Sequence, residues 1–234
     1  MEEIGKIKKY AKITSVPIIK DEGINFICDY IREHDVEKIL EIGTGIGYSS
    51  ISFAKSKEDV FVHTIEFDID RYQQAVRNVA DNNLMERILV YLCDAGTFET
   101  SEKFDLIFID GPKAQYTKYF ERFKNNLTEE GVFICDNLSF HGMVEDLSLT
   151  HNYSTIKMVK KLRKFIDFLK NNEEFETQFF ELGDGISVSR RKKWLSYKIL
   201  CKPMSSSDLI WEPLNLPQKS KSTHLKIIQL SSNV

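Results

Sequence analysis

The segment Lys38-Ile39-Leu40-Glu41-Ile42-Gly43-Thr44-Gly45-Ile46-Gly47-Tyr48-Ser49 restricts the fold of this chain more than any other. An apolar run containing one acid passes into a turn with glycine at alternate positions, and the turn opens a helix-compatible stretch. Glycine reaches positive φ and carries no Cβ, so such a turn lets backbone approach a neighbouring group closely. A strand, a tight glycine turn and a helix make one βα unit, which needs partners on both faces of its strand.

The rest of the chain supplies those partners. Hydrophobic periodicity predicts helices over residues 2–12 and 21–33, the second with Ile24, Ile27, Cys28 and Ile31 on one face. Strands are expected at 37–43, 61–66, 88–92, 104–109 and 131–135, with helices at 48–55, 69–82, 115–126 and 155–171 between or after them. Two last strands, 177–182 and 186–189, are joined by Gly183-Asp184-Gly185 and read as a hairpin. This alternation predicts an α/β, Rossmann-like doubly wound sheet of seven strands, mostly parallel with a C-terminal antiparallel hairpin. In such a sheet, ligands collect at the carboxyl ends of the strands.

The spacing of the glycines discriminates between nucleotide-like ligands. A dinucleotide fingerprint is Gly-x-Gly-x-x-Gly, whereas this turn reads Glu-x-Gly-x-Gly-x-Gly, its third glycine one residue early. The pattern resembles the first motif of S-adenosylmethionine-dependent methyltransferases. That resemblance implies that Glu41, Gly43, Gly45, Gly47 and Ser49 surround the methionine half of the cofactor. Glu66, at the tip of the second strand, is placed to accept hydrogen bonds from both ribose hydroxyls. Asp94 and Ala95, after the third strand, are candidates to flank the adenine. An NAD(P)-dependent oxidoreductase is the competing class, disfavoured by the glycine spacing.

Strands four and five end in the residues with the most chemistry. Ile109-Asp110-Gly111-Pro112-Lys113 delivers a carboxylate and a lysine, and Cys135-Asp136-Asn137 a carboxylate and an amide. Neighbouring strands would bring Asp110, Asp136 and Asn137 together as hard oxygen ligands, a set suited to Mg²⁺, with calcium or manganese as alternatives. Asp-x-x-Lys followed by Asp-Asn resembles the metal-dependent O-methyltransferases of the catechol and caffeoyl-CoA type, over roughly residues 14–190. The resemblance implies that Asp110, Asp136 and Asn137 bind the metal, that Asp110 also borders the cofactor, and that Lys113 is the candidate base. A lysine doing so at neutral pH must be shifted below its ordinary value of about 10.4. A homodimer is implied by the same resemblance.

A metal-chelated acceptor needs two adjacent oxygens, and 5-hydroxyuracil has them in its 5-hydroxyl and C4 carbonyl. Within the family the chain most resembles the branch that methylates 5-hydroxyuridine at the tRNA wobble position. Val16-Pro17-Ile18-Ile19, Ile109 through Tyr116, Asp136-Asn137 with His141-Gly142, and Lys161-Leu162-Arg163-Lys164-Phe165 carry that resemblance. Lys157, Lys160, Lys161 and Lys164 recur at helical spacing opposite Ile156, Val159, Leu162, Phe165, Ile166 and Leu169, a basic face able to meet phosphates of a tRNA anticodon loop. Tyr116 or Phe140 is expected to stack on the base, while His141 and His151 in the connecting loop read as exposed loop histidines, with contact to the substrate as the alternative. A small catechol or hydroxycinnamoyl-type acceptor is the alternative.

Charge divides the chain of 234 residues unequally. Residues 191–234 hold eight Lys and Arg against two Asp and Glu, while the preceding body is acidic. We expect a methyltransferase domain over 1–191 and a basic extension over 192–234 with too few apolar residues for a second core. No apolar run approaches a membrane span and the N-terminus is polar, so a cytoplasmic protein without signal peptide is expected. Cys28, Cys93, Cys135 and Cys201 lie far apart, as expected of reduced thiols.

Overall fold

The computed structural model describes residues 2–140 and 142–193, so His141 and the expected extension from Trp194 onward lie outside the described residues. Helices α1 (Glu2–Thr14) and α2 (Asp21–Glu33) precede β1 (Lys38–Ile42). Then come α3 (Tyr48–Ser56), β2 (Phe61–Glu66), α4 (Ile69–Asp81), β3 (Ile88–Leu92) and β4 (Phe104–Ile109). The described residues continue with α5 (Tyr116–Phe123), β5 (Leu127–Cys135), α6 (Tyr153–Lys170), β6 (Phe175–Phe180) and β7 (Ile186–Arg191). All seven strands form one sheet in the order β3-β2-β1-β4-β5-β7-β6. The first five are mutually parallel, and β7 runs antiparallel to both β5 and β6. The doubly wound seven-stranded architecture is therefore as expected.

The near-continuous apolar run of β4 follows from its central place. Leu106 and Phe108 enter the core beneath α1–α3, while Ile107 and Ile109 enter the core beneath α5 and α6. Phe108 meets Phe53 of α3 edge-on at 5.3 Å, and on the other face Phe120 of α5 stacks on Phe133 of β5 at 4.1 Å. Each such ring contributes about 1.5–3 kcal/mol when fully buried.

Side chains set the starts of α4 and α6. Asp68 accepts from the backbone N–H groups of Asp70 and Arg71, both at 3.0 Å, and starts α4. Asn152 accepts from Thr155 N at 3.1 Å, so α6 begins at Tyr153 and not at 155 as the periodicity alone suggests. Three further elements depart more clearly from expectation. β5 begins at Leu127, pairs once with Phe104, and resumes register at Val132 after an irregularity. α5 is shorter than predicted because its flanks, Lys113–Gln115 and Lys124–Asn126, are single 3-10 turns. β6 starts at Phe175 because that ring is buried, which leaves Leu182 in the turn.

Among the described residues no helix is long and apolar enough to cross a membrane. Cys28, Cys93 and Cys135 are free thiols, and Cys201 lies outside the described residues.

Candidate active site

The carboxyl ends of β1, β2, β3, β4 and β5 open into a cleft of about 590 Å³. Gly43, Gly45, Ser49, Glu66, Asp94, Ala95, Asp110, Lys113, Asp136 and Asn137 all line it. Segments as far apart as residues 43 and 137 meet there because parallel strands share one direction.

One half of the cleft is built on the glycine turn. Gly43 has φ +102°, and a Cβ on it would lie 2.5 Å from the carbonyl oxygen of Asp110. Only glycine fits that approach. Gly47 has φ +82° and starts α3 without a side-chain cap. Gly45 N–H donates to Glu66 Oε2 at 2.8 Å, and Phe67 and Asp68 N–H donate to Oε1 at 3.0 Å. Glu66 thus secures the turn while lining the cleft. Asp94 accepts from Gly96 N at 2.6 Å beside buried Ala95.

Glu41 is placed differently from expectation. It is fully buried and sits beneath the turn, with its carboxylate accepting from the hydroxyls of Ser49, Ser50 and Thr64. It does not line the cleft. Burial raises its pKa to about 7, against the opposing pull of the three hydroxyls. Its contact with the cleft runs through Ser49.

The other half is polar and crowded. Lys113 Nζ donates to Asp110 Oδ1 at 2.8 Å and to Tyr116 Oη at 2.6 Å, and Tyr116 Oη donates to the carbonyl oxygen of Asp136 at 3.1 Å. Asp136 is raised above the usual carboxylate range by burial and then by the Asp110 carboxylate, with Lys113 opposing. Asn137 adopts φ +65°, a left-handed conformation asparagine tolerates, and its Oδ1 is buried without a hydrogen-bond partner.

These features bear on a cation. Among the described residues no group of three or more His, Cys, Asp and Glu side chains is arranged to hold a metal. The candidate set contains two carboxylates and one amide oxygen. A buried carboxylate, Asp136, with the Asp110 carboxylate lining the same cleft and an unpaired buried amide oxygen, forms a donor set that a hard divalent cation would satisfy.

Tyr116 cannot stack on a base as expected, because it is fully buried and packs edge-on against Phe165 at 5.3 Å. Phe140 does line the cleft, at φ +47°. His151 is an exposed loop residue, and His141 lies outside the described residues. Lys157, Lys160, Lys161 and Lys164 form an exposed row on α6, while Val159, Leu162, Phe165 and Leu169 are buried. Arg163, between the two faces, donates to the carbonyl oxygen of Val144 at 2.7 Å and ties α6 to the loop after β5.

Sequence reasoning assigned no site role to Pro17, Ile18, Ile19, Phe67, Arg71 or Asp184, all of which line the cleft. Asp184 arrives because β7 returns antiparallel beside β5, which sets the hairpin turn at the carboxyl end of β5. Lys20 pairs with it at 2.6 Å and ties the α1–α2 connection to that turn. The hairpin reading of Gly183-Asp184-Gly185, combined with its antiparallel strand, was the available signal.

Residues 1–192 match the O-methyltransferase family. The chain belongs to that family. Membership makes it an S-adenosylmethionine-dependent O-methyltransferase. Its relatives include a caffeoyl-CoA O-methyltransferase of Populus kitakamiensis, 24% identical over 79% of this chain and 82% of the relative. Another is a tRNA1(Val) (adenine(37)-N6)-methyltransferase of Flavobacterium psychrophilum, 28% identical over 69% and 70% of the two chains. Among solved structures, a Staphylococcus aureus protein assigned as a caffeoyl-CoA O-methyltransferase superposes with a TM-score of 0.78 at 32% identity, covering 81% of this O-methyltransferase and 92% of that chain. An O-methyltransferase from Bacillus cereus, in complex with SAH, shares the fold with a TM-score of 0.71 at 23% identity over 82% and 91% of the chains.

Proposed function

We propose that this O-methyltransferase moves the methyl group of S-adenosylmethionine to a hydroxyl with a second oxygen beside it, and that the acceptor is 5-hydroxyuridine at the wobble position of tRNA. The observation that carries the reading is the unpaired, buried Oδ1 of Asn137 beside the Asp110 and Asp136 carboxylates in the cleft. An unsatisfied buried polar group costs about 1–3 kcal/mol, a cost a ligand would recover. Asp110, Asp136 and Asn137 would hold Mg²⁺, which when bound draws charge from an acceptor hydroxyl and makes it a better nucleophile.

The protein's own residues do the rest. The glycine turn, Glu66, Asp94 and Ala95 hold the donor, and the turn's close packing against Asp110 sets donor and acceptor side by side. In the transfer, the acceptor oxygen forms a bond to the methyl carbon as the carbon–sulfur bond breaks, and that electron pair stays on sulfur, leaving S-adenosylhomocysteine. The hydroxyl proton leaves towards Lys113, the candidate acceptor, whose nitrogen is fixed by Asp110 and Tyr116. The exposed lysine row of α6 supports the choice of tRNA, and a homodimer from the cytoplasm with a basic segment after residue 192 completes the proposal.

Incubating the enzyme and labelled S-adenosylmethionine with tRNA carrying 5-hydroxyuridine should yield 5-methoxyuridine by nucleoside mass spectrometry. Turnover of a catechol or a hydroxycinnamoyl thioester, with none on tRNA, would replace this acceptor by the small-molecule one. The apolar wall of Pro17, Ile18, Ile19 and Phe140 favours that second reading, since it suits an aromatic ring. Sedimentation velocity reads the oligomeric state directly.

A further inference from the structure

The geometry points to Tyr116 as a positioning residue that acts through Lys113, its hydroxyl bridging the lysine to the backbone that carries Asp136 and Asn137. This rests on the reading of Lys113 as the group that meets the acceptor proton. Tyr116 is fully buried, so its phenol touches neither the cleft nor solvent. Its ring is wedged edge-on against Phe165 of α6, which fixes the oxygen in place.

Hydrogen-bond direction gives the bridge its function. The phenol has one proton, and the carbonyl oxygen of Asp136, 3.1 Å away, can only accept it. The lone pairs of Oη therefore face Lys113, whose Nζ donates to it at 2.6 Å. The lysine is held by two acceptors, Asp110 from its own turn and Tyr116 from the first turn of α5. A four-carbon side chain with one anchor retains much rotamer freedom, while two anchors on different elements define one position for the nitrogen. The same hydroxyl holds the carbonyl at the start of the Asp136–Asn137 turn. The end of β5 and the lysine are thus located relative to each other by a single oxygen atom.

A core role alone and a positioning role predict different results for Tyr116→Phe, which keeps the ring and removes the bridge. Positioning predicts that kcat falls about tenfold or more, as expected for loss of a hydrogen bond to a charged group, while the affinity for S-adenosylhomocysteine stays within about twofold. Activity is read with 5-hydroxyuridine tRNA and with 3,4-dihydroxybenzoate. In a Lys113→Met background, Tyr116→Phe should cause no further loss, because the group through which it acts is gone. Multiplicative losses in the double variant would overturn the proposal.

A readout without turnover separates this proposal from the assignment of the reaction. Acetic anhydride footprinting of the full chain by mass spectrometry should modify Lys113 several-fold faster in Tyr116→Phe than in wild type, with Lys160 as the internal reference. An unchanged Lys113 rate would overturn the bridge even if the enzyme is active. An increased rate in an enzyme inactive on both acceptors would leave the bridge supported and the acceptor assignment refuted.

Discussion

Gly43 and Asp110 lie so close that a methyl group added to the first would sit 2.5 Å from the carbonyl oxygen of the second. Gly43→Ala must both leave its φ of +102° and displace the end of β4. Backbone strain of this kind costs on the order of 1–3 kcal/mol. We expect a lower melting temperature and at least tenfold weaker S-adenosylhomocysteine binding by calorimetry. Wild-type affinity in the variant would show that the contact does not shape the donor site.

Glu41 should make stability depend on pH in an unusual direction. Its pKa is about 7 in the folded protein against 4.5 for an ordinary glutamate, so between those values the folded state retains a proton that the unfolded state has released. Stability therefore falls as pH rises through this window, by on the order of 3 kcal/mol in total. Glu41→Gln removes Glu41's share of this dependence and leaves that of Asp136, whose carboxyl is also raised. Denaturant titrations at pH 5 and pH 7.5 test it, and parallel losses in the two proteins would sink the explanation.

Asn137 offers a test of the cation that does not need turnover. Asn137→Gly keeps the left-handed backbone, at φ +65°, and removes the unpaired oxygen. Stability of the metal-free protein should change by only about 1 kcal/mol, since a buried polar group without a partner is lost and a glycine is gained. Mn²⁺ binding followed by electron paramagnetic resonance should weaken about tenfold or more. Equal Mn²⁺ affinity in the two proteins would remove Asn137 from the ligand set.

The lysine row makes a prediction about salt. Replacing Lys157, Lys160, Lys161 and Lys164 by Gln should weaken tRNA binding and flatten its dependence on log salt by roughly 0.7–0.9 per lysine that meets a phosphate. Turnover of 3,4-dihydroxybenzoate, where it occurs, should not change. Identical tRNA affinities over a salt series would exclude this face from the RNA interface.

Much of the fold was legible because its signals are local. Strands at 61–66, 88–92 and 104–109 and the helix at 21–33 have the boundaries that their periodicity predicts. The less accurate boundaries depend on tertiary contacts. Phe175 joins β6 because a core lies opposite it, and the break in β5 reflects the 2.9 Å that would separate a Cβ on Gly131 from the carbonyl oxygen of Phe104. The site divides in the same way. Residues at strand ends, such as Glu66, Asp94, Asp110 and Asp136, were readable because a parallel sheet sends every strand end to one rim. Glu41 was misplaced because period-two alternation does not reveal that three hydroxyls from α3 and β2 wait beneath it. Tyr116 was misplaced because its distance from Phe165 in sequence conceals their contact in space.

The order of the strands has a practical consequence for redesign. The proposed donor contacts come from the loops after β1, β2 and β3, while Lys113, the two carboxylates, Asn137 and Phe140 come from those after β4 and β5. The acceptor half joins the segments after β4 and β5 with residues 17–19 from before β1, so acceptor preference can be altered by grafting residues 138–140 and 17–19 without editing the donor loops. The seam between the halves permits no such exchange. Gly43 must be kept wherever the backbone at position 110 stays in place, whatever side chain is grafted there.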